Sequence, residues 1–149
     1  MPALIAKSPP MLSFTLVADR WTRPFWDAAA EHRLVAARCA DCGRFRMPPT
    51  PFCPDCRSQA LQWVTLTGLG TIYSYTVVMR ALVPGAEDCI PYVPAIIALE
   101  GAEGARLISN VVDAPIDRLH IGDPVQVVWH DYPDGLSVPR FALSPKVMT

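Results

Sequence analysis

Four of the five cysteines stand in two Cys-x-x-Cys pairs, and no other feature constrains the fold as strongly. Cys39 and Cys42 are followed, after ten intervening residues, by Cys53 and Cys56. Each pair places two sulfurs on one side of a tight turn, so two such turns on facing hairpins supply a tetrahedral set of thiolates. The pattern predicts one bound zinc ion. Because four protein ligands leave no open coordination position, the predicted site is structural rather than catalytic.

The ligand set leaves two alternatives open. Iron in a rubredoxin-like site accepts the same four thiolates, and two disulfides or plain buried thiols are the interpretation without a metal. Gly43 follows the first pair and can adopt the left-handed conformation that closes the turn, but Arg57 stands at the equivalent position after the second pair. Cys89 stands alone between Asp88 and Ile90 and is predicted to be an ordinary thiol.

Composition limits the class of protein. Apolar residues make up 51% of the 149 residues, enough for a buried core, and the 16 prolines favour short strands and structured loops over long helices. Paired cysteines fit metal binding in a reducing compartment. The N-terminus lacks a signal-peptide pattern, and the apolar run Val93–Leu99 is far shorter than the roughly 20 residues that cross a bilayer. We therefore expect a cytoplasmic protein without membrane contact.

The N-terminal part is predicted to hold an arm and a helix ahead of the cysteines. Residues 1–18 lack a clear period and are predicted to form a flexible arm. A helix is predicted to begin at Thr22, which can cap it, with Pro24 in its first turn, and to end before Arg38. Aromatic and small residues recur at helical spacing along this segment: Trp21, Phe25, Trp26, Ala29, Ala30 and His32.

Strand-forming residues dominate the chain beyond Trp63. Val64–Arg80 is predicted to be one long strand with a bulge or bend at Gly68 and Gly70. A short helical turn over 115–119, capped by Asp113, is also predicted. Four further strands are predicted, at 93–99, 106–112, 124–130 and 137–143.

Three strands, a short helix and two strands are the chain order of an OB-fold barrel. The predicted fold is therefore mainly β. It consists of an N-terminal helix and rubredoxin-like zinc ribbon over 19–62, followed by a five-stranded OB-fold barrel over 63–149. The linker between the two parts, 58–62, is short enough that we expect them to dock tightly.

Seven short motifs between about Trp21 and Pro145 carry a resemblance to a known family. They are Pro24 to Asp27, Cys39 to Gly43, Pro48-Pro49, Cys53 to Cys56, Gly68 to Ser74, Pro91 to Pro94 and Ile121 to Val125. In order and spacing they are similar to the family catalogued as domain of unknown function thirty-five. Members of that family join a zinc ribbon to an OB-fold and occur with acyl-CoA enzymes. The missing glycine after Cys56 is a departure.

The resemblance implies a non-catalytic accessory subunit rather than an enzyme. Such proteins pair with thiolases, thiolase-like aldolases or enoyl-CoA hydratases in hetero-oligomers and help to shape or cover the channel for the CoA moiety. For this chain it implies a role in steroid or fatty acyl-CoA metabolism and a direct or indirect contact with acyl-CoA. The resemblance does not indicate which acyl group is handled.

The helix aromatics are candidates for the partner-binding surface. Trp21, Phe25 and Trp26 are of the residue types that dominate protein interfaces, although they also fit packing within the chain, Phe25 most of all. Residues 1–57 carry a net charge of +3 and residues 58–149 a net charge of −4. The arginines of the basic part are candidates for contacts with phosphate or with a partner: Arg20, Arg23, Arg38, Arg44, Arg46 and Arg57.

Two functions of other classes remain open. A single-stranded nucleic-acid-binding OB-fold would need a positive groove with stacked aromatics; Tyr73 and Tyr75 are predicted to share a strand face, but the barrel part is acidic. A small independent acyl-CoA enzyme would need an assembled catalytic set. His32, His120 and His130 are scattered in the sequence, and no serine or cysteine stands beside them in a recognisable elbow.

The charge distribution predicts weak nucleic-acid binding. Because the acidic barrel part repels phosphates, binding of single-stranded DNA or RNA should be weak and should be lost with modest added salt. Gel shifts over a salt series measure this. Sub-micromolar binding at physiological salt would favour the nucleic-acid function instead.

Overall fold

The computed structural model of the protein describes residues 2–11 and 15–145. These contain one α-helix and eight β-strands in two sheets. The elements are α1 Arg23–Ala30, β1 Val35–Cys39, β2 Phe45–Arg46, β3 Leu61–Thr65, β4 Leu69–Tyr75, β5 Val93–Leu99, β6 Arg106–Val111, β7 Pro124–Asp131 and β8 Ser137–Leu143. The fold is mainly β, as predicted. No helix within the described ranges is long and apolar enough to cross a membrane.

The helix begins at the predicted place but without the predicted side-chain cap. Thr22 occupies the N-cap position and its side chain makes no cap bond, so the predicted role of its hydroxyl is wrong. Asp19 orders the turn ahead of the helix, because its Oδ1 accepts the backbone N–H groups of Trp21 at 2.9 Å and Thr22 at 2.8 Å, and its carbonyl accepts the Arg23 N–H at 2.9 Å. The helix ends at Ala30, and His32 lies beyond it with a left-handed φ of 57°. His32 therefore does not belong to the helical stripe predicted from its spacing.

The predicted long strand Val64–Arg80 is wrong, because the chain breaks between β3 and β4. β3 pairs with β1 in a three-stranded antiparallel sheet of order β2-β1-β3, whereas β4 belongs to the barrel. Gly68, with a φ of 84°, lies at the break, and its carbonyl accepts the Val127 N–H at 2.7 Å. Leu66 also donates its N–H to the Leu34 carbonyl at 2.8 Å. The backbone between β3 and β4 is therefore hydrogen-bonded both to the ribbon side and to the barrel.

The other five strands close into a barrel of order β4-β5-β6-β8-β7. This is the predicted OB-fold, with β5 and β8 at their predicted bounds and β6 and β7 within one residue of theirs. A parallel bridge between Val111 of β6 and Phe141 of β8 completes the closure. The β4–β5 register shifts between Ile72 and Ser74, so the irregularity lies at Tyr73 and not at the glycines, where the sequence placed it.

Asp113 does not cap the short helical turn that follows β6. The turn spans Ile116–Arg118 with Pro115 at its N-cap, whereas Asp113 takes a left-handed φ of 57°. The turn itself is present at the predicted place. It leads into β7 through Leu119, which is buried.

One cluster of buried apolar side chains joins the helix, the ribbon sheet and the barrel. Phe25 and Ala28 of α1 and Val35 and Ala36 of β1 belong to the same cluster as the barrel core. The barrel contributes its fully buried side chains, among them Ile72, Val93, Ile97, Val111, Val125 and Phe141. The helix and ribbon are therefore packed directly on the barrel, while the domain bounds 1–18, 19–62 and 63–149 stay predictions.

The N-terminal segment 1–18, predicted to be a flexible arm, is described over 2–11 and 15–18. Ala6 is buried, donates its N–H to the Ala114 carbonyl at 2.8 Å and accepts the Asp113 N–H at 2.9 Å. Lys7 donates its N–H to the Pro91 carbonyl at 2.8 Å. This stretch therefore lies along the barrel. Met1 and residues 12–14 lie outside the described residues, and mobility of the arm stays a prediction.

The close approach at Gly70 should make it intolerant of a side chain. A Cβ at this position would lie 2.6 Å from the Ala98 carbonyl oxygen and 2.8 Å from Cγ2 of Ile97. Because the first neighbour is backbone of the paired strand, relief requires β4 and β5 to separate. We expect Gly70→Ala to lower the free energy of unfolding by about 1–3 kcal/mol, as overpacking does elsewhere.

Urea unfolding followed by circular dichroism measures this effect. Thr71→Ala is the matched control, since Thr71 is the next residue of β4 and is exposed; it should change stability by no more than about 0.5 kcal/mol. Equal unfolding midpoints for Gly70→Ala and the wild type would contradict the packing of β4 on β5.

Candidate metal centre and neighbouring surfaces

The structure brings the four predicted cysteines together. Their sulfurs all lie within 4.8 Å of one another. The Sγ atoms of Cys39 and Cys56 are 3.5 Å apart, and those of Cys42 and Cys53 are also 3.5 Å apart. Four thiolates at about 2.3 Å from a central zinc ion would be about 3.8 Å from each other. The donor set and its size therefore fit zinc, and all five cysteines are free rather than disulfide-bonded.

The two turns that carry the cysteines have matching backbone hydrogen bonds. In the first turn, Cys39 donates its N–H to the Arg44 carbonyl at 2.7 Å, and Gly43 donates to the Cys39 carbonyl at 3.0 Å. In the second, Cys53 donates to the Ser58 carbonyl at 2.9 Å, and Arg57 donates to the Cys53 carbonyl at 2.9 Å.

Positions Gly43 and Arg57 are thus equivalent in structure as well as in spacing. Both residues are left-handed, with φ of 82° and 62°. The missing glycine does not change the second turn, because its hydrogen bonds hold Arg57 in a conformation that glycine adopts more readily.

Backbone N–H groups stabilise one thiolate in each pair. The N–H of Cys42 donates to the Cys39 sulfur at 3.5 Å and lowers the pKa of that thiol to about 6. The N–H of Cys56 likewise lowers the pKa of Cys53.

The pKa of the second, more exposed cysteine of each pair is shifted in the opposite direction. The Arg44 N–H favours the thiolate of Cys42, but the hydrogen bond of this thiol to Cys53, its burial and its interactions with Cys56 and Cys39 together outweigh it and raise the pKa of Cys42 to about 12. For Cys56, the backbone N–H of Ser58 favours the thiolate, but burial and the hydrogen bonds to Cys39 and Cys53 together raise its pKa. Zinc binds thiolates, so its binding displaces the protons that these outer thiols hold.

Side-chain contacts join the two cysteine turns to each other. Arg44 of the first turn forms an ion pair with Asp55 of the second, and Ser58 donates its hydroxyl to Asp41. Arg46 is buried and its guanidinium donates to the carbonyls of Thr50 at 2.9 Å and Ala60 at 3.2 Å.

Two of the arginines proposed as phosphate contacts, Arg44 and Arg46, thus hold the ribbon together. Arg38 is also engaged, since its guanidinium lies 5.8 Å from the Phe45 ring centroid. With the Gln62 amide assigned so that its oxygen faces Arg38, the guanidinium also donates to that oxygen at 2.8 and 2.6 Å.

The helix aromatics divide between core and surface. Phe25 is buried in the shared core, and its ring meets that of Trp26 edge to face at 5.1 Å. Trp26 is half-buried and lines a cavity of about 240 Å³ with Met47 and Pro49. The Arg20 guanidinium lies 4.4 Å from the Trp21 ring centroid. The role of these three aromatics in binding a partner stays a prediction.

Sequence reasoning missed a contact between the helix end and the barrel. Nε2 of His32 lies 2.8 Å from Oδ1 of Asp131, and its ring stacks on Trp129 at 5.4 Å. The Ser137 hydroxyl donates to the same carboxylate oxygen at 2.6 Å. These two bonds lower the pKa of Asp131, that from Ser137 first.

Because Ser137 and His32 both hydrogen-bond to Asp131 and not to each other, this group joins the segment after α1 to β7 and β8 and does not form a nucleophile–base pair. No local sequence signal could have revealed it, since 99 residues separate His32 from Asp131.

Comparison with known proteins agrees with both parts of the fold. Residues 26–62 match the family model described as the rubredoxin-like zinc ribbon domain of ChsH2. Residues 63–130 match that described as the C-terminal OB-fold domain of ChsH2. The chain is also similar to a DUF35 domain-containing scaffold protein of Methanothermobacter thermautotrophicus, with 35% identity over 77% of this chain and 88% of the relative.

Two further similarities concern enzymes of more than one component. The chain is 41% identical to a probable enoyl-CoA hydratase alpha subunit of Thermomonospora curvata over 78% of this chain. It spans only 36% of that relative's length. A solved structure described as the Ltp2-ChsH2(DUF35) aldolase superposes with a TM-score of 0.77 at 36% identity, over 87% of this chain and 98% of the matched one.

The metal centre predicts about one zinc ion per purified chain. Replacing Cys42 by alanine removes one of four ligands, and since the binding energy of a structural zinc is also folding energy, the variant should lose the metal and the order of the β1–β3 sheet. Elemental analysis and circular dichroism measure the two effects. Cys89→Ala is the matched control, because Cys89 lies outside the cluster, and it should retain the metal. A folded wild-type chain with neither zinc nor iron would contradict this prediction.

Proposed function

The chain belongs to the DUF35 family of ChsH2-type zinc-ribbon and OB-fold proteins, and we propose that it is a non-catalytic accessory subunit of an acyl-CoA enzyme. Its partner is an enzyme of the thiolase superfamily, a thiolase or a thiolase-like aldolase, or an acyl-CoA hydratase subunit. The complex acts in the cytoplasm on steroid or fatty acyl-CoA substrates. The chain stabilises the partner and covers part of its CoA channel.

The observation that carries the proposal is the match to the ChsH2(DUF35) chain. It extends over 98% of the matched chain, in a structure whose description joins Ltp2 and ChsH2(DUF35) in an aldolase. The archaeal relative described as a scaffold protein is also matched over most of its length, 88%. The hydratase alpha subunit, by contrast, is matched over 36% of its length. These coverages favour a supporting role over a reaction carried out by this chain.

The chemistry of the described residues also supports an accessory role. A four-thiolate zinc site has no open position for substrate, so the metal supplies structure only. Among the hydrogen bonds of residues 2–11 and 15–145, none joins a histidine ring to a serine hydroxyl or a cysteine thiol. The histidines instead bind or stack on neighbours: His32 on Asp131 and Trp129, His120 beside Asp123, and His130 on Tyr132.

The nucleic-acid alternative loses its proposed stacking platform. The register shift in β4 separates the two tyrosines, which an unbroken strand would place on one face. Tyr75 packs against the core and donates its hydroxyl to the Leu119 carbonyl at 2.8 Å, whereas Tyr73 lies outside beneath Arg106. A series of stacked bases needs several exposed rings along one groove, and this pair does not supply them.

The proposal predicts that a thiolase-superfamily partner needs this chain for full activity. Trp26→Ala should weaken the complex by about 1–4 kcal/mol if Trp26 anchors the interface, with the fold and zinc content unchanged. Phe52→Ala is the matched control, because it removes an aromatic ring that is 58% exposed on the ribbon and lies outside the helix. Co-expression, size-exclusion chromatography and activity assays with and without each variant measure both effects.

Two outcomes separate the parts of this proposal. A stable partner that is fully active alone, and gains nothing from this chain, would overturn the accessory function. A normal complex with the Trp26 variant would overturn only the placement of the interface on the helix. Turnover of acyl-CoA by the isolated chain would instead favour the small independent enzyme.

A further inference from the structure

An apolar face lies on the outside of the barrel beside the helix. Arg106 and Ile108 alternate with Leu107 on β6, so both point outward from the same side of the sheet. Ile108 pairs with Ile96 of β5. The Tyr73 ring of β4 lies under the Arg106 guanidinium at 3.8 Å. We call these four residues, Tyr73, Ile96, Arg106 and Ile108, the β6 face.

Ile108 separates two cavities on this face. One, of about 240 Å³, lies between α1, the segment 47–49 and β6, and is lined by Trp26, Met47 and Ile108 among others. The other, of about 280 Å³, lies over β4 and β5 and is lined by Ile96 and again Ile108. The Ile108 residue is 80% exposed. Isoleucine is among the residues most often fully buried in proteins, so a ridge of this kind between two apolar hollows marks an interaction surface.

Arg106 gives this surface its charge. It is the one charged residue among those that line the two cavities. Its guanidinium stacks on Tyr73 and forms no ion pair with the described residues. A stacked arginine without a carboxylate partner is already oriented, so it can bind a carboxylate with little loss of side-chain freedom.

Two adjoining small hollows, one on each side of Ile108, suit a protein segment with several side chains better than one small ligand. Sites for drug-sized molecules and cofactors enclose about 300–1,000 Å³, and each cavity here is smaller. Each can take one or two apolar side chains. A second copy of this chain is a poorer occupant of a twofold interface centred on this face, because the residues that line the two cavities include no carboxylate for the other copy of Arg106.

We propose that the β6 face, with the cavity under Trp26, docks a segment of a partner protein that carries a carboxylate flanked by apolar side chains. The carboxylate binds Arg106, and the apolar side chains enter the cavities on either side of Ile108. This deepens the proposed function, on which it rests for the identity of the partner. It extends the interface from α1 across the barrel to β4, β5 and β6.

The test uses the partner that co-purifies with the tagged full chain from its native host, identified by mass spectrometry. Ile108→Asp should weaken binding by about 30-fold or more, as loss of an interface hot spot does. Ile121→Asp is the matched control. Ile121 is 69% exposed just ahead of β7, the strand that β8 separates from β6. This variant should bind within about twofold of the wild type, as an isolated surface substitution does. Circular dichroism and zinc content verify that each variant is folded.

The carboxylate is tested separately. Arg106→Gln should weaken binding about tenfold and reduce its dependence on salt, because a charge pair is lost. In the Arg106→Lys variant, a carbodiimide should join the new amine to an aspartate or glutamate of the partner, and peptide mapping should place the crosslink in a segment with apolar neighbours.

Each outcome bears on one proposal or both. A thiolase-superfamily partner that binds Ile108→Asp as well as the wild type would overturn this docking site and leave the proposed function in place. A partner of another class that needs Ile108 and Arg106 would support the docking site and overturn the proposed function. A homodimer that Ile108→Asp dissociates, or a single-stranded oligonucleotide that competes for this face, would overturn the docking site. Recovery of the chain without any stable partner would overturn both.

Discussion

The rest of the structure depends on the contacts that β1 makes at its two ends. Its first residues, Val35 and Ala36, belong to the core that fills the barrel, and its last, Cys39, belongs to the metal cluster. β1 also lies between β2 and β3, so its backbone is hydrogen-bonded on both sides. One five-residue strand therefore couples the thiolate cluster to the hydrophobic core, and loss of either end would release the other.

The ribbon is held together by local hydrogen bonds and an ion pair rather than by a core of its own. Its two turns share one backbone pattern, and the ion pair of Arg44 with Asp55 joins them. The buried guanidinium of Arg46 donates to the carbonyls of Thr50 and Ala60 and so ties the loop after β2 to the segment ahead of β3. Such a module is too small to bury much apolar surface, so metal coordination and packing on the barrel stabilise it together.

The positions of the metal centre and of the cavity under Trp26 follow from how the ribbon packs on the barrel. The zinc centre is closed and lies at the far end of β1 from the core, so it holds the ribbon in shape and leaves the exposed side chains free for other contacts. The cavity under Trp26 exists only because the helix, the ribbon segment 47–49 and β6 meet there. A protein with this arrangement presents a composite surface to a partner, which fits the proposed accessory role better than a reaction of its own.

The sequence by itself determined the parts whose signals are local. Two Cys-x-x-Cys pairs specified the four thiolates, because the geometry of each turn depends on a few neighbouring residues. Alternation and turn residues specified the barrel strands, whose observed bounds differ from the predicted ones by at most a residue for β5, β6, β7 and β8.

The tertiary structure decided the rest. It split 64–80 at Gly68, because β3 gains a ladder with β1 that the sequence does not reveal. It turned Tyr73 and Tyr75 apart by a register shift, and it paired His32 with Asp131 across 99 residues. It also exposed Ile108 on an outer face where the composition of β6 alone would place it in a core, since which side of a strand meets solvent is set by what packs against it.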